Sequence, residues 1–177
     1  MKSRLVLFLA LTLLCAPRLL AEDNLPKGIL LGYDGEWAHV SEQLIALAEA
    51  TPQEKFTWRP APGIRSTSEV YMHIAYANFL LLSFTGPKMP EDFKRELTTS
   101  VTNKADVISW LKRSLEAVKT AHQAETPKDG ERKVNVFGRD ATVDGVFLRI
   151  IVHDNEHMGQ LIGYARMTGV VPPWADK

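Results

Sequence analysis

The sequence predicts an all-α fold, a four-helix bundle with two long crossover connections, and three observations carry that prediction. Four stretches repeat apolar residues at i, i+3, i+4 and i+7 spacing, the period of a helix with one buried face. The segments between them carry the prolines, glycines and polar residues, and no set of alternating apolar runs suggests a sheet. The 177 residues suit one domain with a core of useful size, and there is no internal repeat or low-complexity tract. The 21 basic and 21 acidic residues balance, which excludes a nucleic-acid binder built on phosphate neutralisation.

The first 21 residues read as a secretory signal rather than as part of the fold. Lys2 and Arg4 make a positive start, and Leu5 to Leu14 is an apolar run. Ala21 then offers a small residue for cleavage before Glu22, although Leu19 departs from the small-x-small rule. The apolar run is far short of the ~20 residues that span a bilayer. The expected location is therefore periplasmic or extracellular, with the folded domain over residues 22–177. Cys15 is the only cysteine, and a lipid anchor on it is not expected, because Leu14 stands where a small residue is required. After cleavage at Ala21 no disulfide, thiolate ligand or cysteine nucleophile remains.

Residues 25–33 form a lead-in broken by Pro26, Gly28 and Gly32, after which Asp34 is expected to cap a first helix to about Ala50. Trp37, Val40, Leu44, Leu47 and Ala48 make its buried stripe, and His39 falls off that stripe among polar neighbours. Thr51-Pro52 ends it. A proline-punctuated link follows, in which Phe56 and Trp58 are expected to pack on the bundle end. Ser66-Thr67-Ser68-Glu69 is a capping box that starts a second helix running to about Phe84. Val70, Ile74, Ala77 and Leu81 form a ridge that Tyr71, Phe79, Leu80 and Leu82 widen, so this helix is expected to be central. His73 lies inside it.

Lys88 to Thr102 reads as a polar crossover with a helical turn near Glu91 to Leu97. The third helix runs from about Lys104 to His122, burying Val107, Leu111, Leu115 and Val118 and exposing Lys112, Arg113, Glu116 and Lys119. His122 is expected at its frayed end, where positive charge suits the helix dipole. In the second long connection, Asp129-Gly130 marks a turn and Val134 to Phe137 an extended segment before Gly138. Thr142 or Asp140 caps the fourth helix, Gly169 closes it, and Pro172-Pro173 prevents continuation.

The chemistry concentrates on the fourth helix, in His153-Asp154-Asn155-Glu156-His157. Residues i and i+4 lie about 40° apart on one face, so the two imidazoles form a bidentate grip for a metal. The segment is not HExxH, because Asp154 replaces the glutamate. It matches the H-x-x-E-H pattern of inverse zincins, but those need a downstream glutamate ligand, and the only acid after His157 is Asp176. A third ligand must come from upstream, and His73 is the strongest candidate. Three neutral ligands would leave the cation's charge uncompensated, favouring an anionic ligand and acidifying bound water. Imidazole suits zinc, nickel, iron and cobalt alike. Spacing alone equally allows two histidines simply exposed on one face.

Neighbouring residues leave further alternatives open. Gln160 follows the histidine stripe and either orients an imidazole or makes an ordinary core contact. Tyr164 and Tyr71 either line a pocket or sit in the core. Asp154 and Glu156 lie off the stripe and are expected to be solvated. Gly159 and Gly163 form G-x-x-x-G on the opposite face, serving either the bundle core or a homodimer seam.

The run from His153 to Pro173, with H-x-x-x-H, then Gly159-Gln160, then Gly169-x-x-Pro172-Pro173, resembles the terminal helix of the DinB-like (DinB/YfiT) superfamily. Trp58-Arg59-Pro60 with Ser66 to His73 resembles that family's proline-rich approach and second helix, with its single histidine. The resemblance spans about residues 33 to 174. It implies a four-helix bundle and a divalent metal held by His73, His153 and His157. It also implies an unidentified small-molecule substrate. Relatives in that family include thiol-dependent transferases and isomerases, among them a mycothiol-dependent maleylpyruvate isomerase, in which the metal activates the thiol. Because low-molecular-weight thiols are abundant chiefly in the cytosol, an exported member is expected to use water or another nucleophile. The expected function is a metal-dependent transferase or hydrolase; the alternative is a non-catalytic metal-binding or stress-associated envelope protein.

Overall fold

The structure is a computed structural model, and it describes residues 32–175. The expected signal peptide, its cleavage point, Cys15 and most of the lead-in lie outside the described residues.

Helix α1 (Tyr33–Ala50) buries Trp37, Val40, Leu44, Leu47 and Ala48, as the spacing predicts, and adds Tyr33. Its cap differs from expectation. Gly32, in the left-handed region at φ 91°, occupies the N-cap, and Asp34 lies in the first turn. The Asp34 carboxylate is instead taken by His122, whose Nδ1 stands 2.7 Å from Oδ1. The link to α2 (Thr67–Ser83) is tied to that helix by backbone bonds. Thr67 N donates to Trp58 O at 3.0 Å and Ser68 N to Phe56 O at 2.8 Å, so two N–H groups that a helix start leaves orphaned find acceptors. The capping box forms in both directions, Glu69 N to Ser66 Oγ and Ser66 N to Glu69 Oε2.

The next link has its helical turn, α3, at Leu97–Ser100, later than the expected Glu91 to Leu97. The earlier residues are drawn inward by Phe93, which is buried against Phe79 and Trp110. Helix α4 (Lys104–Ala124) starts at Asn103, whose side chain accepts from Ala105 N and Asp106 N. It extends to Ala124, so His122 stands in the last turn as expected, but buried rather than frayed. A short turn α5 (Pro127–Gly130) leads into a hairpin of β1 (Lys133–Val136) and β2 (Arg139–Thr142). The extended segment expected here thus acquires a partner strand. Phe137 at φ 53° and Gly138 at φ 83° reverse the chain in two residues, the geometry of a type I′ turn. Thr142 caps α6 (Val143–Met167), accepting from Gly145 N. Gly169, at φ 79°, ends it in a Schellman motif, with Val170 N donating to Ala165 O and Gly169 N to Arg166 O.

The four long helices form an all-α bundle. Each of α1 and α2 packs against both α4 and α6, giving the ring order α1–α4–α2–α6. The links over residues 51–66 and 125–142 therefore join helices across a diagonal, whereas residues 84–103 join neighbours. Helix α2 is apolar around most of its circumference because it has two large neighbours to cover it. On α6 the buried arc runs through Phe147, Ile150, Asp154, Leu161 and Ala165, and it contains one acid.

Candidate metal centre

Helices α2 and α6 lie side by side, and their facing stripes bring the three predicted histidines together. On α2, Glu69, His73 and Tyr76 share a stripe at i, i+4 and i+7 spacing. On α6, His153 and His157 face it one turn apart. One nitrogen from each of the three histidines lies within 4.8 Å of the others. The Nε2 atoms of His73 and His153 are 3.2 Å apart. The rings stand steeply to one another, with interplanar angles of 60°, 89° and 72° and centroids 4.5–5.0 Å apart. Edges rather than faces therefore meet. Two imidazole nitrogens each ~2.1 Å from a common ion, at tetrahedral or octahedral angles, sit about 3.0–3.4 Å apart. The His73–His153 separation falls in that interval and the third nitrogen lies within 4.8 Å of both, so the three-histidine group could hold a metal ion.

The electrostatics favour lone pairs over protons. Burial, helped by the positive charge of Arg65 and the two neighbouring rings, pushes the His73 pKa down to about 3. The His157 value is lowered for the same first reason. Neutral imidazole is the form that binds metal. Among the described residues no carboxylate joins the cluster. Glu69 is held by Arg59 at 2.9 Å and by Ser66 N at 2.8 Å.

Behind two of the rings stand groups that set their tautomer. Nδ1 of His157 is 2.9 Å from Gln160 Oε1, an amide oxygen that can only accept. Nδ1 therefore carries the proton, and Nε2 keeps its lone pair for the cluster. Gln160 Nε2 donates to the Tyr164 hydroxyl at 2.7 Å, which donates to Arg65 O at 3.1 Å. Gln160 thus orients an imidazole, that of His157. Tyr164 is buried with its ring edge-on to Trp58. Tyr71 is a core aromatic stacked on Phe56, away from the cluster.

Asp154 overturns its expectation. It is not solvated: its relative exposure is 0%, because it lies on the apolar arc of α6, one turn from Ile150. Oδ2 accepts from Asn78 Nδ2 at 3.1 Å. Oδ1 stands 3.7 Å from His153 Nδ1, too far for a hydrogen bond, and neither atom has another partner. A movement of less than an ångström would join them in a carboxylate–histidine pair of the kind that backs metal ligands. Burial raises the Asp154 pKa, opposed by His153 and Asn78. Glu156 is exposed, as expected, and faces Arg149 at 3.2 Å. His39 is exposed, also as expected. Gly159 and Gly163 do not serve close packing within the bundle, since a Cβ built on either meets nothing within 4 Å.

Sequence reasoning passed over Asn78, Arg65 and Arg95. Asn78 had a signal, being the only side-chain amide in the most apolar helix. The arginines had none, for they reach the site from two different links.

Comparison with known proteins agrees with this architecture. A family model described as the DinB superfamily matches residues 36–161. A DinB-like protein of Bacillus cereus has a similar structure, with a TM-score of 0.72 at 25% identity, covering 80% of this chain and 94% of that one. The DinB-like protein YjoA of Bacillus subtilis is similar with a TM-score of 0.63 at 20% identity, covering 78% and 92%. No curated protein matches this chain.

Proposed function

The chain belongs to the DinB superfamily, and on that premise we propose that it is an exported protein whose His73, His153 and His157 hold one divalent metal ion for chemistry on a small molecule. The observation that carries this reading is the orientation of the imidazoles. His73 and His153 point Nε2 at each other across 3.2 Å, and Gln160 takes the proton of His157 on the far side of its ring. A core histidine kept for packing would find one partner and stop. Three that spend their free nitrogens on each other are arranged for a cation.

The chemistry an ion supplies in such a place is Lewis acidity, which acidifies a water or thiol and polarises a carbonyl. The protein's own residues divide the remaining tasks. Gln160 and Tyr164 fix the ring of His157, Asp154 stands 3.7 Å behind His153, within a small movement of backing it, and Asn78 keeps Asp154 hydrogen-bonded in the core. Zinc, nickel, iron and cobalt all suit three imidazoles. Export rests on Lys2, Arg4, the apolar run to Leu14 and the small residue Ala21. The reaction that fits best is a transfer or hydrolysis using a water or thiol nucleophile. A non-catalytic metal-binding role has one observation in its favour: among the described residues the two carboxylates near the cluster are not free bases, Glu69 being held by Arg59 and Ser66 and Asp154 fully buried on Asn78.

Elemental analysis of protein purified without a histidine tag tests the metal. Close to one metal per chain, lost in His157→Ala, is expected; equally low metal in both overturns the site. A screen of thiols and electrophiles for turnover that disappears in His73→Ala separates enzyme from binder. Intact mass of the secreted protein tests export, and retention of Met1 to Ala21 refutes it.

A further inference from the structure

A cavity of about 320 Å³ opens beside the cluster, with His73 in its wall. That volume lies at the small end of the ~300–1,000 Å³ typical of ligand sites. Its charged lining is Arg65 from the link before α2, Arg95 from the link before α3, and Glu69. The three are not in the same state. Glu69 already faces Arg59 and caps α2, so its charge is spent. Among the described residues no carboxylate lies within salt-bridge distance of Arg65 or Arg95, although Arg59, Arg113 and Arg149 each have one. The cavity therefore carries two unmatched guanidinium groups, and Tyr76 adds a half-buried phenol to the wall. Guanidinium is the side chain that recognises carboxylate and phosphate by paired donors. A cleft lined by one sign of charge also concentrates ions of the other sign.

We propose that this cavity is the substrate subsite and that its ligand is a small anion, a carboxylate or phosphate, held by Arg65 and Arg95 with its reactive end toward His73. The word substrate rests on the metal-centre reading above; the anion preference does not. The cavity and its arginines owe nothing to a bound ion.

The test is calorimetric titration of the full mature protein, metal-free and metal-loaded, with succinate, with its neutral diamide and with inorganic phosphate. Succinate is expected to bind both forms, and the diamide neither. Arg65→Ala and Arg95→Ala are each expected to weaken succinate by about 10–100-fold, the worth of a charge-assisted hydrogen bond, with metal content and circular dichroism unchanged. Phosphate binding with the same arginine dependence supports the proposal and widens the ligand class. Equal binding of succinate and diamide, no binding of either anion, or affinity indifferent to both substitutions overturns it. If the protein proves to hold no metal yet binds succinate through both arginines, the anion subsite stands and the metal reading falls.

Discussion

Two places in the bundle bury histidine, and they do so in opposite ways. His122 on α4 is 8% exposed, with Nδ1 2.7 Å from Asp34. Its ring lies 4.1 Å from that of Tyr33 and 5.0 Å from that of Phe147. One carboxylate and two aromatic rings surround it, and it works as a strut between α1, α4 and α6. His153 is equally buried at 8%, but its Nε2 faces His73, its Nδ1 has no hydrogen bond, and His157 crowds the same point. Burial and residue type are the same in both places. The number of nitrogens left facing a common point is not, and that number separates a packing histidine from a ligand.

Substitutions at the two places should part company. His153→Ala is expected to abolish stoichiometric metal, read by elemental analysis, while the fold survives by circular dichroism. His122→Ala is expected to cost about 2–4 kcal/mol in urea denaturation, from the lost packing of a buried ring, with metal content unchanged. Metal loss in that variant would break the contrast. Asp154→Asn should weaken metal about 10–100-fold if the carboxylate backs His153, measured by competition with a chelator. An unchanged affinity would reduce Asp154 to a core hydrogen-bonding group. Gln160→Leu should cost about 10-fold by the same assay, the low end of that range, because Gln160 is only half buried.

A separate effect is on acid stability without metal. His73 titrates at about 3 in the folded chain against 6.5 in a free imidazole. Between those values the unfolded chain binds more protons, so stability falls as pH drops from about 6.5 toward 3. His73→Asn should flatten that limb in a series of urea melts; an unaltered slope would show that His73 is not kept neutral by its surroundings.

The helices were legible in the sequence because their caps are local. Ser66 with Glu69, Thr142 and Gly169 each announce a boundary within four residues. The pairing of His153 with His157 was legible for the same reason. What failed needed information from elsewhere in the chain. The angle of Asp154 from the histidines points it to solvent, and only the packing of α1 and α2 against α6 reveals that the core arc passes through it. The hairpin's second strand, Arg139–Thr142, has no apolar alternation, and its turn requires Phe137, 68% exposed, in the left-handed region. Arg65 and Arg95 stand thirty residues apart and share a cavity only because the link carrying α3 folds back over α2.

One chain of contacts has a consequence for how the two ends of the site communicate. The hydroxyl of Tyr164, two bonds removed from His157 through Gln160, ends on the backbone oxygen of Arg65. The residue whose guanidinium lines the cavity is thus the residue whose carbonyl anchors the His157 ring. Coupling of this kind is reciprocal: whatever factor anion occupancy lends to cation affinity, cation occupancy returns to the anion. Peptide position 65 is where that exchange would be transacted, and it can be altered without touching a single metal-facing nitrogen.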